Sequence, residues 1–296
     1  MSRQTVSLVL GGGGARGLAH IGVIERLSHN GYDIRSISGS SMGALIGGIY
    51  AMGKLDVYTR WVCALERVDV LRLLDFSFGG NGLFKGERII EVLKGMIGDR
   101  NIEDLSIAYT AVATDLEKEQ EVWFSEGSLF DAIRASIAIP SIFRPHYYQG
   151  RYLLDGSLVN PVPIAPTLKD NTDLTIAVNL GARDQPPMQV QQAPLDEQQK
   201  TADRRRIIRF IDSMRQQRGQ RRPRDLGLFE VVARSINIVE NALAQLQLAS
   251  YSPDIVIEVP RNVCSFYEFY RAREVISIGR QKADEALLIH QEGRGR

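Results

Sequence analysis

The sequence predicts an α/β protein, a three-layer α/β/α sandwich around a mainly parallel central sheet. Short apolar runs rich in β-branched residues alternate with longer segments of helical periodicity, the order that builds a parallel sheet with helices on both faces. Glycine-rich loops follow the first two of these runs, at 11–14 and around 39–43. Size agrees: 296 residues, 44% hydrophobic and 24% charged, leave room for a sizeable core in one large α/β domain or two small ones.

Residues 5–10 (TVSLVL) are short, apolar and stopped by glycine, the pattern of a buried strand. Leu18, Ile21, Ile24 and Leu27 recur at helical spacing and predict a helix over 18–30, with Gly31 suited to its C-terminal stop. A second short strand is expected over 34–38. The next helix, 42–52, is apolar or small on every side and therefore buried, and Gly43, Ala44, Gly47 and Gly48 leave room for close packing. Later strands are expected at 107–114, 121–124, 152–154, 174–179 and 254–259, with helices between most of them.

Composition changes abruptly from Ala182 to Asp225, a stretch rich in Gln, Arg and Pro. Residues 199–224 hold ten Lys or Arg against two Asp, a local charge of +8 in a chain whose formal total is +1. Ordinary patterning resumes at Leu226, so 182–225 reads as a polar, basic insertion within a single domain over 5–290. Inside it, Ile207, Phe210, Ile211 and Met214 share one face of a helix expected over 202–218. Arginines supply much of the rest, a form that can lie in a membrane interface. The rival reading is a lid whose apolar face packs on its own domain.

The near-neutral total gives no reason to expect a nucleic-acid partner. Cys63 and Cys264 are far apart, without metal-like spacing, and read as reduced thiols of a cytosolic protein. Residues 6–10 are too short for a signal peptide, and no run of about 18 apolar residues could span a bilayer. The chain is expected in the cytoplasm, with any membrane contact peripheral, at the inner face, through 199–224.

Gly12-x-Gly14-x-x-Gly17 between a strand and a helix matches the dinucleotide fingerprint. The second strand, however, ends Ile37-Ser38-Gly39 without the carboxylate that would hold a ribose, and the loop lacks the Lys-Ser/Thr ending of a phosphate loop. The second strand runs instead into Gly39-Ser40-Ser41-Met42-Gly43, a G-x-S-x-G between strand and helix. That spacing answers crowding. The serine sits on a sharp, strained turn, and the residues two before and two after it press together, so both are glycine. The turn lifts the Ser41 hydroxyl to a helix N-terminus, where free N–H groups favour developing negative charge.

A serine nucleophile needs a base. His20 and His29 fall on the first helix in structural or surface roles, and His290 in a polar tail, which leaves His146 as the one histidine suited to a triad. Asp155 is the stronger candidate: an apolar run leads into Asp155-Gly156, a tight turn that presents a carboxylate at a strand end.

These pieces, in this order, resemble the patatin-like phospholipase family. Gly12-Gly13-Gly14-x-Arg16-Gly17 is similar to its oxyanion loop, Gly39-x-Ser41-x-Gly43 to its nucleophile elbow, and Asp155-Gly156 to its D-G-G/A motif, with Ser157 in the last position. The block ASIAIPSIFRP (135–145) is similar to the one preceding the family's aspartate. The resemblance implies a patatin-like sandwich and a lipid acyl hydrolase of phospholipase A or lysophospholipase type with a Ser41–Asp155 dyad. It implies an oxyanion hole of the Gly12, Gly13 and Gly14 N–H groups, and no metal or cofactor. Arg16 would hold the loop in place or add positive charge. Two other readings remain open: an acyltransferase of related architecture, which would usually carry His where Ser40 stands, and a non-catalytic regulatory protein on the same fold.

Overall fold

The computed structural model describes residues 3–73, 82–186 and 228–294. The expected helix over 202–218, and the insertion from 187 on, lie outside these residues. The described strands are β1 (Thr5–Leu10), β2 (Asp33–Ser40), β3 (Gly82–Phe84), β4 (Ala108–Asp115), β5 (Gln120–Phe124), β6 (Ser141–Phe143), β7 (His146–Tyr148), β8 (Arg151–Asp155), β9 (Leu174–Ala182) and β10 (Ile255–Pro260). The helices are α1 (Ala19–His29), α2 (Met42–Ala51), α3 (Leu55–Val62), α4 (Arg67–Leu73), α5 (Glu87–Ile97), α6 (Leu129–Ser136), α7 (Leu228–Tyr251) and α8 (Ala272–Arg294). The chain before α1 is a 3-10 turn over Gly14–Leu18, closed by the Arg16 N–H on the Gly13 carbonyl at 3.3 Å, so the α-helix starts one residue later than its periodicity suggests.

Strands β10, β9, β1, β2 and β4 pair in that order, all parallel, as strand and helix alternation along the sequence predicts. The far end of the sheet is antiparallel: β5 and β8 both pair with β4, and β7 with β8. Strands β3 and β6 form a separate two-stranded pair.

The register along β4 sets the rest of the molecule. Ser40 at the end of β2 pairs with Val112, and Asp155 at the end of β8 pairs with Ala113. The other edge of both residues is taken by β5, through Trp123 and Val122. Strands β2 and β8 therefore lie end to end along one edge of β4, running toward each other. Their C-termini meet at adjacent residues.

The two faces are unequal. Leu8, Leu10, Ile176, Val178, Ile257 and Val259 point into the main core with α1, α2, α6 and α8. Val9 and Ala177, on the alternate face as the two-residue strand period demands, meet only a small cluster with Val162, Ile164, Ala244 and Leu248. Helix α7 and the 162–167 segment are what cover that side among the described residues.

Helices α1 and α8 touch backbone to backbone. A Cβ on Gly22 would lie 2.1 Å from the Ile276 carbonyl oxygen, and one on Gly279 would lie 2.1 Å from that of Ala19. Gly95, inside α5, faces open space. Gly22→Ala is therefore expected to lower stability by about 1–3 kcal/mol through overpacking, and Gly95→Ala to raise it by about 0.5–1 kcal/mol through helix propensity. Urea midpoints of the two variants should move in opposite directions from that of the unsubstituted protein.

Candidate active site

The meeting of β2 and β8 brings two side chains together that are 114 positions apart in sequence. Ser41 follows β2 with φ 54° and ψ −122°, a left-handed backbone rarely adopted by a residue with a side chain. Its hydroxyl donates to Asp155 Oδ2 at 2.6 Å, and both residues are 3% exposed. The other carboxylate oxygen, Oδ1, accepts the Ser157 N–H at 2.8 Å. Each Asp155 oxygen thus has one donor, which fixes the plane of the carboxylate without a third side chain.

Hydroxyl groups pin the turn. The Ser41 N–H donates to Ser136 Oγ at 2.9 Å, and that hydroxyl donates in turn to the Val112 carbonyl at 2.6 Å. Thr114 Oγ1 donates to the Asp155 carbonyl at 2.8 Å, and Ser40 Oγ to the Asn160 carbonyl at 2.6 Å. Ser136 lies in the 135–145 block, but nothing in its spacing marked it as the residue holding Ser41.

The glycines around the site answer contacts. A Cβ on Gly39 would lie 2.5 Å from the Gly43 carbonyl carbon, and one on Gly43 only 1.9 Å from the Leu10 carbonyl oxygen. A Cβ on Gly12 would strike Ser157 Oγ at 1.9 Å, one on Gly17 the Met42 side chain, and one on Gly156 the Val112 carbonyl.

The 11–14 loop departs from expectation at one point. The Gly12 N–H donates to the Pro161 carbonyl at 3.0 Å and the Gly11 N–H to the Val178 carbonyl at 3.1 Å, so Gly12 is not a free donor. The N–H groups of Gly13 and Gly14 have no acceptor among the described residues. The loop is held from two sides. Buried Arg16 donates from Nε to the Gly13 carbonyl at 3.1 Å and lies 3.5 Å from Asn237 Oδ1, a loop-holding geometry. His20, fully buried, bonds the Gly11 carbonyl through Nε2 at 2.7 Å. Because a carbonyl only accepts, that nitrogen carries the proton, and burial pushes the imidazole pKa down to about 4, which keeps it neutral.

His146 is not brought to this site. It sits on β7 with Nε2 3.2 Å from Asp131 Oδ1, its ring stacked on Tyr148.

Ser41, Asp155, Gly13 and Ser157 line a cavity of about 220 Å³. Ile139, Pro140 and Ile142 form one apolar wall, and Val232, Ala233 and Ile236 of α7 another, with Asn237 and Glu240 one turn further on. A larger cleft of about 380 Å³ beside β10 and α8 is lined by Lys282 and Glu285, which pair with each other at 2.8 Å. Among the described residues it is lined by no serine, threonine or cysteine.

Burial pushes the Asp155 carboxyl up to about 6, against the pull of its hydrogen bonds from Ser41 and Ser157. A carboxyl raised in this way stabilises the fold while it is neutral. That contribution is complete below the usual value of 3.8 and lost as pH rises through about 6. The shift corresponds to about 3 kcal/mol. Asp155→Asn keeps the shape without the charge, so it is expected to melt higher than the unsubstituted protein at pH 8, with the gap closing near pH 4. Calorimetry at the two pH values checks this, and a variant that melts lower at both contradicts it.

The description patatin-like phospholipase matches residues 8–168. An NTE family protein of Mycobacterium tuberculosis is 42% identical over 334 residues, covering 97% of this chain and 92% of that protein. Lysophospholipase NTE1 of Kluyveromyces lactis is 33% identical over 188 residues, covering 62% of this chain and 13% of that longer protein. Among solved structures, VipD from Legionella pneumophila aligns with 98% of this chain and 67% of its own, at 12% identity and a TM-score of 0.46, too loosely to carry an argument. With the match over 8–168 and relatives 42% identical along nearly its whole length, the chain belongs to the patatin-like phospholipase family.

Proposed function

We propose that the protein is a lipid acyl hydrolase, a serine carboxylic-ester hydrolase with Ser41 as nucleophile and Asp155 as its base. The observation that carries this reading is the 2.6 Å hydrogen bond from Ser41 Oγ to Asp155 inside a largely apolar cavity. The name lysophospholipase borne by the Kluyveromyces relative supports the substrate class.

Asp155, ionised at neutral pH, takes the Ser41 proton as Oγ attacks the ester carbonyl carbon. The carbonyl electron pair moves onto its oxygen, which the free N–H groups of Gly13 and Gly14 and the N-terminus of α2 stabilise. Collapse of the tetrahedral intermediate breaks the ester bond, and the departing alcohol oxygen takes the proton from Asp155. Water then passes a proton to Asp155 and attacks the acyl-serine. The fatty acid leaves, and Ser41 recovers its proton. A carboxyl raised to about 6 is a stronger base than an ordinary one, yet still ionised at pH 7.

We further propose peripheral contact with anionic membranes through 199–224, supported by its ten basic against two acidic residues. No helix among the described residues is long and apolar enough to cross a membrane. Co-sedimentation with anionic vesicles should fall as salt rises, and binding indifferent to salt would remove this part of the proposal.

Hydrolysis of a short-chain ester tests the chemistry. Ser41→Ala and Asp155→Asn should each lower kcat/KM by about a thousandfold or more, while His146→Ala keeps most of the activity. A fluorophosphonate should label the unsubstituted protein but not Ser41→Ala, and the rate should rise with pH through about 6 as Asp155 ionises. An inactive His146→Ala beside a near-normal Asp155→Asn would overturn the dyad.

A further inference from the structure

The cavity holds a carboxyl that the chemistry above does not use. Glu240 projects from α7 into the space shared by Ser41 and Asp155. Its side chain is partly buried, and no described residue forms a hydrogen bond with it. The charged groups around it are Asp155 at the end of β8 and Arg16 of the glycine loop, and Tyr267 lines the same cavity. Burial and the Asp155 charge hold Glu240 up at about 8, against the pull of Arg16. Beside the Asp155 carboxylate, the neutral acid form of Glu240 is favoured. A neutral carboxyl facing the cavity offers a ligand one donor and remaining acceptor capacity.

We infer that Glu240 is a specificity-determining residue that binds a hydroxyl on the alcohol side of the scissile ester, so that the site selects monoesters of a polyol over the same acyl ester of a simple alcohol. This rests on the reading of Ser41 as nucleophile. A hydroxyl matches the neutral acid donor for acceptor. A phosphate or carboxylate there would stand beside the charge of Asp155 in a confined space. A cavity of about 220 Å³ admits one small substrate head, so the group that reaches Glu240 belongs to the molecule whose ester lies at Ser41. The walls from Ile139 to Ile142 and from Val232 to Ile236 are left for the acyl chain.

The test compares the glycerol monoester and the propyl ester of one medium-chain fatty acid at pH 7, with the unsubstituted protein, Glu240→Gln and Glu240→Leu. The unsubstituted protein should favour the glycerol ester in kcat/KM by about tenfold, the worth of one buried hydrogen bond. Gln, which keeps a donor and an acceptor, should retain most of that ratio. Leu should bring it close to one. A ratio near one in the unsubstituted protein overturns the inference whatever the variants do, as does a ratio that survives in Leu. Hydrolysis of both esters without discrimination leaves Ser41 as nucleophile and removes only the role of Glu240, whereas hydrolysis of neither, with no fluorophosphonate labelling, removes both.

Discussion

Strand β4 receives two strands on one edge from opposite directions, and the point where they meet lies between Val112 and Ala113. That pairing puts Ser41 and Asp155 within hydrogen-bond reach by backbone register, not by the reach of long side chains. Both side chains are short, so a slip of one residue in either strand would part them and turn the strand's other face to the core. The hydroxyls of Ser136 and Thr114 bind the two strand ends to β4 at the junction. Asp155 is oriented by its own turn and a neighbouring N–H without a third side chain to aim it, which is the arrangement the proposed two-residue mechanism needs.

The junction is also strained and nearly dry. Ser41 holds a backbone conformation that costs on the order of 1–3 kcal/mol, and the ionised Asp155 beside it is almost fully out of water. Both penalties fall at the end of a sheet whose central strands are buried on the main-core side, so the surrounding packing can hold the turn in place. Electrostatics follow the same logic. Asp155 and Glu240 line one cavity, and Arg16 beside Glu240 bridges the glycine loop and α7.

Much of this was legible in the sequence because local sterics leave a signature. Gly39 and Gly43 flank Ser41 at the separation that lets their backbones touch, and an apolar run into Asp155-Gly156 marked the carboxylate. The parallel half of the sheet followed from strand and helix alternation. Strands β3, β6 and β7 were not visible, since three residues carry no period. The partner of the Gly12 N–H could not be read either, because Pro161 comes close only through the fold. Glu240 and Asn237 sit on a helix whose sequence shows no reason to face a serine two hundred positions earlier. Their place is set by Val9 and Ala177, which open the thin face of the sheet to α7 through Ala244 and Leu248. His20 was readable as structural, but its hold on Gly11 was not.

The glycine contact between α1 and α8 has a temporal meaning. Arg280 reaches back to Glu25 across 255 positions of sequence, and Gly22 and Gly279 seal the same seam. Helix α1 carries His20, the anchor of the 11–14 loop. During synthesis, α1 can pack on α2 and β2, but the side that carries Gly22 has nothing to lie against until residues 276–280 have emerged. The seam behind the loop's anchor is thus a late contact, while the Gly11 and Gly12 N–H bonds to the Val178 and Pro161 carbonyls can hold the loop before that seam closes. Closure of this long-range clasp is the step that completes the packing of α1.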